Sequence, residues 1–137
     1  GGVVHGIDTW SQSALPASSP KVPLRNAEIE GVANRVHIDH GHASAIPYPS
    51  NTFDVLTDYQ VLHNTKGQVM LEHAICEIAR VLKPGGRAII CEPLPEILPL
   101  PALLKEQGLI VQQRRLSFTA LPPMGILVME KPLIPAR

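Results

Sequence analysis

The stretch Glu77–Pro93, EIARVLKPGGRAIICEP, carries the end of a helix, a sharp turn and a strand in direct succession. Its helical half belongs to a longer pattern. Leu71, Ala74, Ile75, Ile78, Ala79 and Leu82 recur at intervals of three and four, a single apolar stripe that predicts a helix over Gln68–Leu82. Lys83-Pro84-Gly85-Gly86 ends it, because proline disfavours helix in the residue before it and glycine takes the positive φ of a tight turn. Arg87–Glu92 then reads as a strand. Its middle is so uniformly apolar that cover on both faces is expected.

Working outward, the chain keeps alternating. On the N-terminal side, Val3–Ile7 is a β-branched run that reads as a buried strand ending at Asp8. Trp10–Pro23 is expected to be a loop, broken by Pro16, Pro20 and Pro23. Leu24–Glu30 predicts a short helix with Leu24, Ala27 and Ile29 facing inward, stopped by Gly31. Val36–His40 is a second strand, Gly41–Thr52 a loop, and Phe53–Asp58 a third strand. On the C-terminal side, Leu94–Pro101 reads as a loop and Ala102–Gln107 as a turn or two of helix before Gly108. Leu109–Phe118 and Gly125–Lys131 are two more strands, joined through Leu121-Pro122-Pro123 as an antiparallel hairpin. This order predicts an open α/β sheet, mostly parallel with an antiparallel edge. Ligands of such sheets bind at the carboxyl ends of the strands.

Composition narrows the function. The 137 residues carry 12 basic and 12 acidic side chains, a formal net charge of zero, which argues against a nucleic-acid scaffold. With 45% hydrophobic and 18% charged residues the chain is expected to fold, as one domain. No apolar run is long enough to span a membrane, and Gly1–Trp10 lacks the features of a secretory signal. Cys76 and Cys91 read as reduced, buried structural thiols, which fits a cytoplasmic setting.

Several residues fall where chemistry is expected. Asp8 closes the first strand, where an acid can accept from both hydroxyls of a ribose or simply cap a loop. Gly41-His42-Ala43 follows the second strand and could frame an adenine ring or form an ordinary turn. Asp58-Tyr59-Gln60-Val61-Leu62-His63-Asn64 follows the third. His63 there is a candidate general base, since imidazole titrates near neutrality; otherwise it packs or caps. His37-x-Asp39-His40-x-His42 has the look of a metal cluster. Strand alternation divides it between two faces and leaves an incomplete tetrahedral set, so no metal is expected. Arg114-Arg115 reads as a solvated edge.

Taken together, four blocks resemble the class I S-adenosylmethionine-dependent methyltransferases, in particular the ubiquinone/menaquinone-biosynthesis type. They are VVHGIDTW (Val3–Trp10), NRVHIDHGHASAIPYPSNTFDVLTDYQVLHN (Asn34–Asn64), EIARVLKPGGRAIICEP (Glu77–Pro93) and LPPMGILVMEKP (Leu121–Pro132). The third is the most specific, and the four stand in the family's order. The resemblance implies a Rossmann-like sheet of strand order 3-2-1-4-5-7-6. It implies S-adenosylmethionine as cofactor, held by Asp8, Thr9, Trp10, Gly41, His42, Ala43, Asp58 and Tyr59, and methyl transfer to a small-molecule acceptor. His63 would be the catalytic base where the acceptor must lose a proton. A homodimer is compatible with it.

Two departures from the family stand out. His42 occupies the place of the usual acid that holds the adenine amino group. The family's first strand and glycine-rich loop have no counterpart: no G-x-G pattern occurs, and those elements would precede Gly1. The expectation is therefore a single methyltransferase domain, N-terminally incomplete. The alternative is an inactive methyltransferase-like module that binds a partner. A nicotinamide-dependent oxidoreductase falls behind, lacking both G-x-G-x-x-G and Tyr-x-x-x-Lys.

Overall fold

The computed structural model describes residues 1–11, 18–65, 67–119 and 122–133. Two compact units divide the chain, residues 1–42 and 43–137. Pro16, with the rest of the 12–17 segment, and Leu121 of the expected hairpin lie outside the described residues.

The first unit holds two strands and one helix. Strands β1 (Val4–Asp8) and β2 (Val36–His40) pair in parallel, with Val4 opposite Val36 and Asp8 opposite His40. Helix α1 (Lys21–Ile29) connects them, as a parallel pair requires. It starts a turn earlier than the sequence suggests. Pro23 sits in its first turn, where the missing N–H would have had no helical partner anyway. Gly31, at φ +68°, ends it, while Val32 N–H reaches back to the Ala27 carbonyl at 2.8 Å. Of the three residues expected to face inward, Ala27 is buried but Ile29 is exposed. Nor is β1 a buried strand: Val3 and Val4 are both 59% exposed. Among the described residues of this unit each strand pairs only with the other, and α1 packs on β2.

The second unit contains the core. Its sheet runs β3 (Phe53–Tyr59), β4 (Leu82–Pro93), β6 (Met124–Glu130), β5 (Ile110–Ser117). β3 and β4 are parallel; β6 runs antiparallel to both its neighbours. Helix α2 (Gln68–Val81) lays Ala74, Ile75, Ile78 and Ala79 onto Ala88 and Ile90 of β4 and Leu127 and Met129 of β6. Helix α3 (Leu100–Glu106) adds Leu100 and Leu104. It begins inside the expected loop, with Pro101 again in a first turn. Burial of each Ile, Leu or Met here contributes roughly 1.5–3 kcal/mol, so this stripe-on-sheet contact dominates the stability of the unit.

Between α2 and the rest of β4, the Lys-Pro-Gly-Gly turn appears as an irregularity within the strand. Gly85 has φ +80° and donates to the Lys131 carbonyl at 2.7 Å. A Cβ on Gly86 would meet the carbonyl oxygens of Lys83 at 2.8 Å and Phe53 at 3.1 Å. Beyond it, β4 alternates. Ala88, Ile90 and Glu92 are buried, whereas Arg87 and Ile89 are exposed. The expectation of cover on both faces is thus corrected. On the open face Val55, Ile89 and Ile126 are exposed. The cysteines are corrected as well. Cys76 lies off the α2 stripe and is exposed, and Cys91 falls on the open face of β4, half-buried.

In the strand numbering implied by the resemblance, β2 and β1 are strands 3 and 2, and β3, β4, β6 and β5 are strands 4, 5, 7 and 6. The two separate sheets reproduce 3-2 and 4-5-7-6.

Candidate active site

In the first unit the carboxyl end of β1 is shaped by Asp8. Its Oδ1 accepts the Trp10 N–H at 2.8 Å, a short side-chain turn that sets Trp10 at φ +53°. The Gly41 N–H donates to the Asp8 carbonyl at 3.0 Å, so the structure brings Asp8, Trp10 and Gly41 together. Asp8 and Thr9 are exposed, and His42 is half-buried. Beside Asp8 lies a cavity of about 370 Å³ lined by Gly6, Trp10, Val22, Pro23 and Ile38 among others.

In the second unit the polar groups gather where β3 and β4 end. Asp58 pairs with Ile90 across the parallel register, and Glu92 is two residues further along β4. Alternation therefore puts Asp58, Ile90 and Glu92 on one face, the face that packs on α2. Glu92 is fully buried and Asp58 is 8% exposed. The chain then turns at Gln60, φ +57°, whose N–H donates to the Cys91 carbonyl at 2.9 Å. A single 3-10 turn, Leu62–Asn64, follows. It delivers two donors to Glu92: the Leu62 N–H to Oε1 and His63 Nδ1 to Oε2, both at 2.7 Å. The His63 side chain stays 29% exposed, so the ring joins a buried carboxylate to the surface. With its proton on Nδ1 in this contact, a neutral ring presents the Nε2 lone pair.

Burial, and after it the charge and hydrogen bond of Glu92, push the Asp58 carboxyl up from 3.8 to about 8; the N–H groups of Val61 and Leu62 partly oppose this. The Cys91 thiol is also raised, by burial first and by the two carboxyls next. Tyr59, one residue on from Asp58, points to the open face and is exposed.

The loop before β3 is held from α2. Arg80 donates to the carbonyls of Tyr48 at 2.8 Å and Ile46 at 2.9 Å, and pairs with Glu77, which accepts the Ile46 N–H at 2.7 Å. This guanidinium holds the Glu77 carboxyl below the usual carboxylate range. Ala43, at the start of that loop, packs against the core.

Of the sequence-derived site residues, Asp8, Trp10 and Gly41 therefore share one strand end, and Asp58 and His63 meet through Glu92. Sequence reading passed over Glu92 as the end of a strand. Its signal was the two-residue period: an acid in step with Ala88 and Ile90 sits on their buried face and needs donors.

Residues 1–90 match the family described as "Methyltransferase domain". The chain belongs to the class I S-adenosylmethionine-dependent methyltransferases. Members of this family use S-adenosylmethionine as methyl donor. Among curated proteins it is 35% identical over 104 residues to the ubiquinone/menaquinone biosynthesis C-methyltransferase UbiE of Dinoroseobacter shibae, covering 76% of this chain and 37% of that protein. It is 30% identical over 116 residues to the enzyme of the same name from Francisella tularensis subsp. novicida, covering 85% and 42%. The chain thus spans less than half the length of these relatives. In fold it is similar to the [4+2]-cyclase SpnF, with TM-score 0.77 and 20% identity over 97% of this chain and 68% of that one. A methyltransferase from Methanosarcina mazei gives TM-score 0.70 and 17% identity over 96% and 83%. The methyltransferase fold expected from the sequence is borne out at that level, as a mixed sheet plus a separate parallel pair. No helix among the described residues is long and apolar enough to cross a membrane.

Proposed function

We propose that this chain is the larger part of a methyltransferase domain that methylates a small molecule bearing an ionisable nucleophile, with His63 as general base. The 2.7 Å contact between His63 and the buried Glu92 carries this reading. It gives the ring a fixed tautomer and orientation, as a base needs. The curated relatives are named for ubiquinone and menaquinone biosynthesis and for C-methylation, which favours an electron-rich ring carbon as acceptor.

The residues present fit the cofactor. Asp8 keeps one carboxylate oxygen beyond the Trp10 turn for ribose hydroxyls, beside an apolar cavity. In this reading Thr9, Gly41, His42 and Ala43 contribute around the adenosine, and Asp58 and Tyr59 stand at the end of β3. When bound, S-adenosylmethionine supplies a methyl group on a positively charged sulfur, an electrophile. His63 Nε2 takes the proton that the acceptor gives up as the new carbon–methyl bond forms. Glu92 stabilises the resulting imidazolium. Much of the rate would come from holding acceptor and methyl in line.

The test is methyl transfer from labelled S-adenosylmethionine to a panel of small hydroquinones, comparing the chain with His63→Gln. The base reading expects a fall of about 10²–10⁴-fold in kcat. Turnover within threefold of the parent would refute it. No turnover of any acceptor, together with no cofactor binding, would favour the binding-module alternative.

A further inference from the structure

The base assignment above uses His63 and Glu92 and leaves Asp58 unexplained. Asp58 is nearly as buried as Glu92, lies on the same face of the sheet, and its Oδ2 is sealed from solvent without a donor among the described residues. On that face Glu92 is its diagonal neighbour, two residues beyond Ile90, and the charge and hydrogen bond of Glu92 help to raise the Asp58 carboxyl. Two carboxylates repel at such a contact, and neither can hydrogen-bond the other. A single proton between them removes both problems.

Deepening the proposal that His63 is the base, we propose that Asp58 is a positioning residue acting through Glu92: held as the neutral acid, it donates to Glu92, leaves the pair one negative charge, and turns that charge onto His63. The donors to Glu92 are then complete on all sides. Leu62 N–H and His63 Nδ1 occupy one oxygen each, and Asp58 supplies the third contact. The other titratable groups in reach are Cys91, on the opposite face of β4, whose thiol the two carboxyls help to raise, and His63 itself from the 3-10 turn. The elevated affinity of Asp58 for its proton, to about 8, agrees with this arrangement at neutral pH.

The arrangement is read separately from catalysis, on the ring and carboxyl signals themselves. The experiment is ¹⁵N NMR of the histidine rings in the full 137-residue chain at neutral pH, for the parent, Asp58→Asn, Asp58→Ala and Glu92→Gln. An asparagine amide donates as the neutral acid does, so parent and Asp58→Asn should both show His63 with its proton on Nδ1, protected from exchange. Asp58→Ala and Glu92→Gln should lose that protection by about tenfold or more, a change equivalent to about 1.4 kcal/mol. Protection in Asp58→Ala within twofold of the parent would overturn the proposal, as would its loss in Asp58→Asn. Infrared spectra cover the case in which Asp58→Ala does not fold. A carboxylic-acid carbonyl stretch at pH 7 should be present in the parent and absent from Asp58→Asn, and its absence from the parent would overturn the proposal. If His63→Gln turned over normally while these signals behaved as stated, the base reading would fail and the positioning by Asp58 would stand.

Discussion

Replacing Asp58 by asparagine should stabilise the protein at neutral pH and leave it almost unchanged in acid. Asp58 is a carboxyl whose folded-state value, about 8, lies above the 3.8 of an ordinary aspartate. Between these two values the folded chain binds a proton that the unfolded chain has released. Stability therefore falls as pH rises from about 4 to 8 and is flat, as far as this group is concerned, above and below. At pH 7 the cost of protonating a group with an unfolded value of 3.8 is about 4 kcal/mol. Asparagine keeps the donor to Glu92 and carries no titrating proton, so it escapes this cost. Urea denaturation of parent and Asp58→Asn at several pH values between 4 and 8 reads the difference. The two stability curves should meet near pH 4 and diverge by several kcal/mol by pH 7, the variant being the more stable. Parallel curves would refute the buried-proton reasoning, and so would a variant that loses stability equally at every pH.

Two other substitutions probe the scaffold around the site. Arg80→Ala removes the donors to the Ile46 and Tyr48 carbonyls and leaves Glu77 without its cation. A loss of about 2–3 kcal/mol in urea denaturation is expected, with faster amide exchange over residues 46–52. Gly86→Ala puts a methyl 2.8 Å from one backbone oxygen and 3.1 Å from another, neither on a flexible side chain. A cost of about 2 kcal/mol or more should lower the melting temperature, whereas Gly31→Ala, with open space around it, should cost only the strain of its positive φ, about 1 kcal/mol.

What the sequence made legible was set by periodicity. The α2 stripe was readable because Ala74, Ile75, Ile78 and Ala79 repeat with the helical turn, and the core is built on them. Strands β3, β4 and β6 were readable because each holds a short apolar run between turn residues. Cover was not readable. Whether Val4 or Ile89 is buried depends on which layers lie over the sheet, and local sequence does not encode that. Helix starts were misplaced at Pro23 and Pro101 for one reason: proline breaks a helix interior but is at home in its first turn. The site divides in the same way. Asp8 and His63 were visible as polar residues closing strands. Glu92 was hidden in an apolar strand, and its partnership with Asp58 required the parallel register that sets Asp58 beside Ile90. Tertiary pairing, not residue type, makes that cluster.

The central claim is that this chain holds S-adenosylmethionine through Asp8, and calorimetric titration tests it most directly. The purified chain, and the same chain carrying Asp8→Ala, would be titrated with S-adenosylmethionine and with its demethylated product. The account predicts saturable binding by the parent with a dissociation constant on the order of 1 mM or tighter, near −4 kcal/mol, and at least about tenfold weaker binding by the variant. Equal affinity in both would place the cofactor elsewhere, and no heat from the parent at millimolar cofactor would contradict the claim that this chain binds it.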